Sequence, residues 1–466
     1  MPLKRRFDAR WEIPLFVVSI AAMIALAVSL MRKALADRID ADGAVDCGKN
    51  LCHLSFVDFR DATWRPVSWF VMGNNPYDTQ TYLQNFPHSL DYPTYAPGHL
   101  LLWAPLGWAD WNTASVVAAI IGMTVIIATG CWLGLRVAEN IPATLIPAGR
   151  EGAIRRGMLA TWGVILLLLS RPVSLAYYLG QPSIVYVLLA VPAIMVRNKY
   201  IGVILVALCC MKPHIGLAVV VVLIAQSRWR RALLGVGLSA ALSLAAVLVM
   251  AGGVSGVPRW VDSLIGNISE SSSRRTADWL DERIDIVGSL QHAGLGISTA
   301  TTVAIAIAGV VAAYFLVRRT SYRFESISVL LGLTLVTVTL YHLSYDAAWL
   351  IAPIVLGSLE VASDPRLRKR LAPGLALLFF GAAISHYYIF DRLGNELGVA
   401  HFSIWLMRVT LYAGTVLLIA GLWTVFRTRQ HPHLSPHDVD PRVHSTHARP
   451  ISAEASDTPG ADIAAT

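Results

Sequence analysis

Apolar runs alternate with short basic loops along most of this chain, and that alternation governs what the sequence predicts. The runs lie at about 14–31, 113–135, 158–170, 183–196, 200–211, 215–226, 232–251, 297–317, 325–341, 347–361, 371–389 and 401–426. A helix that crosses a bilayer needs roughly 20 mainly apolar residues, so the shorter runs predict paired, broken or polar-extended helices. The pattern predicts an all-α polytopic membrane protein with about 12 transmembrane helices. One stretch, HLLLWAPLGWADW at 99–111, breaks the alternation, because counting it as a span would invert every later loop. It reads instead as an interfacial or re-entrant helix on the exterior side, which is allowed where protein covers its backbone.

Basic residues set the expected orientation. Lys4, Arg5 and Arg6, then Arg150, Arg155 and Arg156, then Arg197 and Lys199 all fall on one side if every run crosses. Arg228, Arg230 and Arg231, then Arg318, Arg319 and Arg323, then Arg366, Arg368, Lys369 and Arg370 fall on that side too. By the positive-inside rule this is the cytoplasm, and both termini are expected there. The two long loops opposite, 32–97 and 252–296, carry more Asp and Glu than Lys and Arg. Residues 1–426 therefore form one membrane domain with a first and a second exterior loop. Residues 427–466 are polar, without apolar periodicity, and are expected to be a disordered cytoplasmic tail. Its histidines (His431, His433, His437, His444 and His447) read as solvated.

Composition agrees. Of 466 residues 55% are hydrophobic and only 15% charged, against about 25% charged in soluble domains. The net charge of +8 does not point to nucleic acid, since the cations sit in short loops as topological signals. The first run follows a basic flank and shows no small-residue cleavage site, so 14–31 is expected to be a retained helix. Five cysteines are present. Cys131, Cys209 and Cys210 lie in apolar runs as small hydrophobes. Cys47 and Cys52, in CGKNLC, sit in the first exterior loop, where a local disulfide is expected. With only His53 beside them they do not make a metal site; no metal or cofactor is predicted.

Candidate chemistry concentrates in one polar loop. Residues 56–97 carry Asp58, Asp61, Asp78 and Asp91 among Trp64, Trp69, Tyr77, Tyr82, Tyr92 and Tyr95. Loops of this length inside a domain are usually functional. Rings beside carboxylates suit a sugar; equally, aromatics gather at membrane interfaces as a capping belt. Three further polar clusters interrupt the apolar runs on the same predicted side. SRPVSLAYYLGQPS supplies Arg171, Tyr177, Tyr178, Gly180 and Gln181, MKPHIG supplies Lys212 and His214, and YHLSYDAAW supplies His342, Tyr345 and Asp346. Ionisable groups at membrane depth are costly and are functional candidates by default. Lys212 as a mere snorkelling lysine is the alternative, against which stand its neighbours Pro213 and His214. Together the cations suggest a place to hold a phosphate beside a general base.

The ordered set VDF, NNPYD, YPTYAP, LGQPS, KPH, SRWRR and YHLSYD resembles glycosyltransferase family 87, over roughly residues 14–425. That resemblance implies a GT-C-fold integral membrane enzyme using polyprenyl-phosphate sugars. The family includes the actinobacterial arabinofuranosyltransferase of arabinan assembly and the mannosyltransferase extending phosphatidylinositol mannosides. It also implies that an aspartate near the start of the first exterior loop is the base. Asp58 matches that position, with Asp61 one helical turn on as the second candidate. Lys212, Arg171 and His214 become the expected donor-phosphate ligands. Asn75, Tyr77, Tyr92, Tyr95, Gln181, His342, Tyr345 and Asp346 become the expected sugar or acceptor ligands, although Gln181 after Gly180 also suits plain helix packing, and His342 with Asp346 a structural bond between helix ends. The expected reaction is an inverting transfer of arabinofuranose or mannose from a decaprenyl-type phosphate to a cell-envelope glycan or glycolipid. It would take place at the extracytoplasmic face of the plasma membrane, by single displacement, with no obligatory metal. The chain departs from the family at Tyr92-Pro93-Thr94, usually Tyr-Pro-Pro, and at Gln181-Pro182-Ser183, usually Gln-x-Asn; these leave the acceptor open. Two other classes compete. A transporter or flippase for lipid-linked saccharides should show two related halves with midplane charges, which this sequence lacks, and a non-catalytic scaffold would tolerate loss of Asp58.

Overall fold

Each of the apolar runs meets helix in the computed structural model of the chain, which describes residues 9–42, 55–87, 89, 95–142, 144–278, 282–362, 364–384, 387–398 and 402–430. Cys47, Cys52, Tyr92 and the tail beyond residue 430 lie outside the described residues, and so does the expected disulfide. Among the described residues there are no strands, only two isolated bridges, Arg38 to Ser55 and Arg283 to Leu343.

The first helix, α1 (Ala9–Ala36), is followed by a short turn α2 (Val57–Phe59), a π-helical turn at Arg60–Trp64, α3 (Arg65–Val71) and α4 (Thr79–Asn85). Then come α5 (Gly98–Gly107), α6 (Trp111–Asn140), α7 (Arg150–Leu169), α8 (Arg171–Tyr178), α9 (Ser183–Met195), α10 (Lys199–Cys209), α11 (Pro213–Ala225) and α12 (Trp229–Met250). The second half adds α13 (Val257–Asp278), α14 (Ile286–His292), α15 (Thr299–Thr320), α16 (Glu325–Thr339), α17 (Ala348–Ala362), α18 (Pro365–Phe379), α19 (Tyr387–Glu396) and α20 (Phe402–Gln430).

Among the described residues, seven helical stretches are long and apolar enough to cross a membrane: Trp11–Ala36, Trp111–Asn140, Arg150–Leu169, Trp229–Met250, Thr299–Thr320, Ser344–Ala362 and Phe402–Arg427. Four shorter apolar helices, α9, α10, α11 and α16, run 10–17 residues. At 1.5 Å per residue such helices fall short of a hydrocarbon layer of about 30 Å. Three of them are largely enclosed. In α9, α11 and α16 most side chains are buried on every face, as expected for helices apolar all round. The longer α1, α12 and α15 expose large hydrophobics such as Val18, Leu234 and Phe315, the pattern of an outer, lipid-facing ring.

Contact between α6 and α7 depends on small residues. A Cβ on Gly134 would stand 2.0 Å from the Leu159 carbonyl oxygen, so only glycine lets these backbones approach. Arg155 of α7 meets Glu12 of α1 at 2.6 Å, tying the first helix to the bundle. The 99–111 stretch forms α5 and the turn after it. Asp110 then caps α6, accepting from the backbone N–H groups of Asn112 and Thr113 and held below its ordinary pKa chiefly by the Thr113 hydroxyl.

Candidate active site

Short buried helices bring their ends together. The turn before α9, the turn between α10 and α11, and the turn after α16 carry Gln181, Lys212 and His342 respectively. Residues 55–58 of the first loop lie against the end of α8. Phe56 N–H donates to the Tyr178 carbonyl at 3.0 Å and Asp58 N–H to the Leu179 carbonyl at 3.1 Å. The Ser55 hydroxyl bonds the carbonyls of Ala34 and Tyr178. Gly180 makes this approach possible. Its φ is +67°, and a Cβ there would stand 2.8 Å from Phe56 Cδ1 and 2.9 Å from Phe59 Cβ.

Asp58 is thereby presented to Gln181, whose Nε2 donates to Asp58 Oδ2. Gln181 Oε1 accepts from the Ser183 hydroxyl at 3.2 Å and from the Tyr95 hydroxyl at 3.4 Å. Asp61, the second candidate for the base, sits differently. It is 1% exposed and bonded by Arg60 at 2.8 and 3.1 Å and by Arg65 at 2.9 Å. Burial pulls the Arg65 guanidinium below its ordinary pKa and Asp61 pulls it back. Asp61 thus serves as the counter-ion of two buried arginines.

Around Asp346 the expected roles change. Lys212 Nζ lies 2.8 Å from Asp346 Oδ1, His342 Nδ1 3.2 Å from Oδ2, and His214 Nε2 3.7 Å from the same oxygen. The Leu343 N–H also donates to Oδ2 at 3.3 Å. Lys212 lies over the Tyr345 ring at 5.2 Å, in the same turn that carries Asp346. The loop also reaches this region, since Ala96 N–H donates to the Met211 carbonyl at 2.8 Å. Arg171 opens α8 and is buried; α8 packs on the turn Ser344–Ala347.

His214, His342 and Asp346 offer three ligand atoms within 4.8 Å, a grouping that could hold a metal ion. The chemistry of the set speaks against it. One Asp346 oxygen already holds an ammonium group, whose charge would repel a divalent ion a few ångströms away.

Residues expected to line a sugar pocket mostly hold the loop together. The Tyr77 hydroxyl donates to the Tyr95 carbonyl at 2.7 Å and is 1% exposed, with burial pushing its pKa up. Asn75 Oδ1 accepts from the Tyr77 N–H, and Asp78 caps α4. Tyr95 stacks on His99 at 4.3 Å. A small apolar cleft lies beside Gln181, walled by Phe56, Phe59, Trp103, Ala118 and Val185.

Several contributors were not singled out from sequence. His99, bonded to Thr63 at 3.0 Å and to Tyr186 at 2.6 Å, is buried, which pulls its pKa down to about 3. The 282–285 segment clamps the 341–346 turn. Ile284 N–H donates to the His342 carbonyl at 3.0 Å, the Ser344 hydroxyl bonds Glu282 at 2.7 Å, and Arg283 pairs with Asp285 at 2.7 Å. Arg408 of α20 donates to the Arg283 carbonyl at 2.7 Å. Arg408 within an apolar run was a usable signal. Asn267, which opens a glycosylation-like Asn-Ile-Ser, is buried and bonded to Thr79 at 3.2 Å.

The family model described as glycosyltransferase family 87 matches residues 94–353, more than half of the chain. The matched span holds Gln181, Lys212, His214, His342 and Asp346 and begins after Asp58. No curated protein and no solved structure matches the chain.

Proposed function

Because the chain belongs to glycosyltransferase family 87 and carries several membrane-length helices, we propose that it is an inverting enzyme moving arabinofuranose or mannose from a polyprenyl phosphate to a cell-envelope glycan or glycolipid. The observation that carries this reading is that the Asp58–Gln181 pair and the Lys212–Asp346 pair are linked through the loop, where the Tyr95 hydroxyl donates to Gln181 and the next residue, Ala96, bonds the Met211 carbonyl beside Lys212. These polar groups, with a carboxylate at one end and an ammonium at the other, suit a sugar phosphate.

Asp58 acts as the base. It takes the proton of an acceptor hydroxyl as that oxygen attacks the anomeric carbon, and the bond from that carbon to the phosphate oxygen breaks on the opposite face. Charge develops on the departing lipid phosphate, and preorganised cations stabilise it. Lys212, shared between Asp346 and the phosphate, supplies one cation; His214, His342 and Arg171 line the same region. Asp346 binds these groups rather than the sugar. The reaction runs without a metal, and the site faces the extracytoplasmic side of the plasma membrane, in keeping with the basic loops opposite.

The test is transfer by purified full-length protein from decaprenyl-phosphoryl arabinose or mannose, with EDTA present, beside an Asp58→Asn variant. Turnover in EDTA and a loss of about 10²-fold or more in the variant are expected. Full turnover by Asp58→Asn would remove the assigned base.

A further inference from the structure

We propose that Gln181 is a positioning residue for the Asp58 carboxylate, holding it ionised and in one orientation, rather than a ligand of the sugar. This rests on Asp58 being the base. Its own support is the direction of the hydrogen bonds. A carboxylate only accepts, so Gln181 must turn its amide nitrogen to Asp58 Oδ2. That leaves Oε1 facing the hydroxyls of Ser183 and Tyr95, both of which can donate to it.

The backbone around Gln181 is equally constrained. Its N–H donates to the Ala176 carbonyl at 2.8 Å and its carbonyl accepts from Ile184 N–H at 3.0 Å. The positive φ of Gly180 sets the path into this turn. Gln181 is only 8% exposed, which leaves little of it for a substrate. A neutral donor on a carboxylate favours its charged form. Gln181 therefore lowers the pH above which Asp58 can accept a proton, and fixes which way it points.

Other charged and titratable groups stand on the elements packed around this part of the loop. They are Tyr95 and His99 from the loop and α5, Arg171, Tyr177 and Tyr178 from α8, Tyr186 from α9, and Tyr345 with the Lys212–Asp346 pair. Just beyond Asp58 in sequence, Asp61 pairs with Arg60 and Arg65. Of these only Tyr95, whose hydroxyl donates to Gln181 Oε1, loses or changes a partner in a Gln181 variant, so Tyr95→Phe is the control that isolates the amide.

Gln181→Glu places a second carboxylate against the first, and Gln181→Leu removes the donor. The readout independent of turnover is infrared titration of the carboxyl band that disappears in Asp58→Asn, measured on the full chain in lipid nanodiscs. Gln181→Glu is expected to move that titration up by about one pH unit or more, and Gln181→Leu to move it up less. In transfer assays the acidic limb of kcat should shift with it, and Gln181→Leu should lower kcat about 10- to 100-fold at unchanged donor KM. An unmoved Asp58 titration, or a raised KM with kcat and the limb unchanged, would overturn the positioning role. Full turnover by Asp58→Asn is a separate result, which removes the base and leaves the measured effect of Gln181 on Asp58 standing.

Discussion

Lys212 Nζ and Asp346 Oδ1, 134 positions apart in sequence, lie 2.8 Å from each other with Asp346 1% and Lys212 9% exposed. Breaking a buried pair strands the remaining charge, at a cost of about 3–5 kcal/mol. Asp346→Asn should therefore lower thermal stability sharply as well as activity. Lys212→Met combined with Asp346→Leu should recover much of that stability, since apolar replacement of both partners is often neutral, yet remain inactive. A double variant as unstable as Asp346→Asn would contradict the pairing.

Asp61 and Asp58 are expected to separate cleanly. Asp61→Asn leaves Arg60 and Arg65, both buried, without their anionic partner, so its main effect should be lost stability of about 3–5 kcal/mol. Asp58→Asn should leave the melting temperature within a few degrees of wild type while removing turnover. Melting curves of the two variants side by side decide the matter.

Gly180→Ala tests how the first loop reaches the bundle. A non-glycine residue at positive φ costs about 1–3 kcal/mol, and the added Cβ meets Phe56 and Phe59. The loop must retreat from α8, taking Asp58 away from Gln181. Activity should fall further than stability, and the infrared titration of Asp58 should broaden or shift.

His99 predicts an acid-sensitive fold. Its pKa in the folded chain is about 3, below the ordinary value of about 6.5 expected after unfolding. The unfolded chain binds the extra proton, so this contribution to stability is complete above about pH 6.5 and is lost as pH falls toward 3. Thermal unfolding between pH 4 and 7 should show that slope. His99→Gln, which can still bond Thr63 and Tyr186, should flatten it.

How much of this was legible beforehand depended on range. Helix positions were visible because periodicity and apolar length are local properties, and the runs at 183–196, 215–226 and 325–341 fall on α9, α11 and α16. Their shortness was visible too, as was the clustering of polar residues at their ends. Two assignments could not be made that way. Arg60 and Arg65, one and four residues from Asp61, were a local sign of its pairing, but the amide that meets Asp58 comes from 123 positions away. Similarly, Lys212 and Asp346 both looked like ligands because their mutual bond joins residues 134 positions apart.

The sequence by itself determined that this protein is helical, is built for a bilayer, and keeps its ionisable groups at helix ends, because burying apolar length and hydrogen-bonding the backbone leave no other arrangement. Tertiary structure alone decided which polar groups neutralise one another. Such pairs follow from distances of a few ångströms between residues far apart in sequence, and no local pattern encodes those distances.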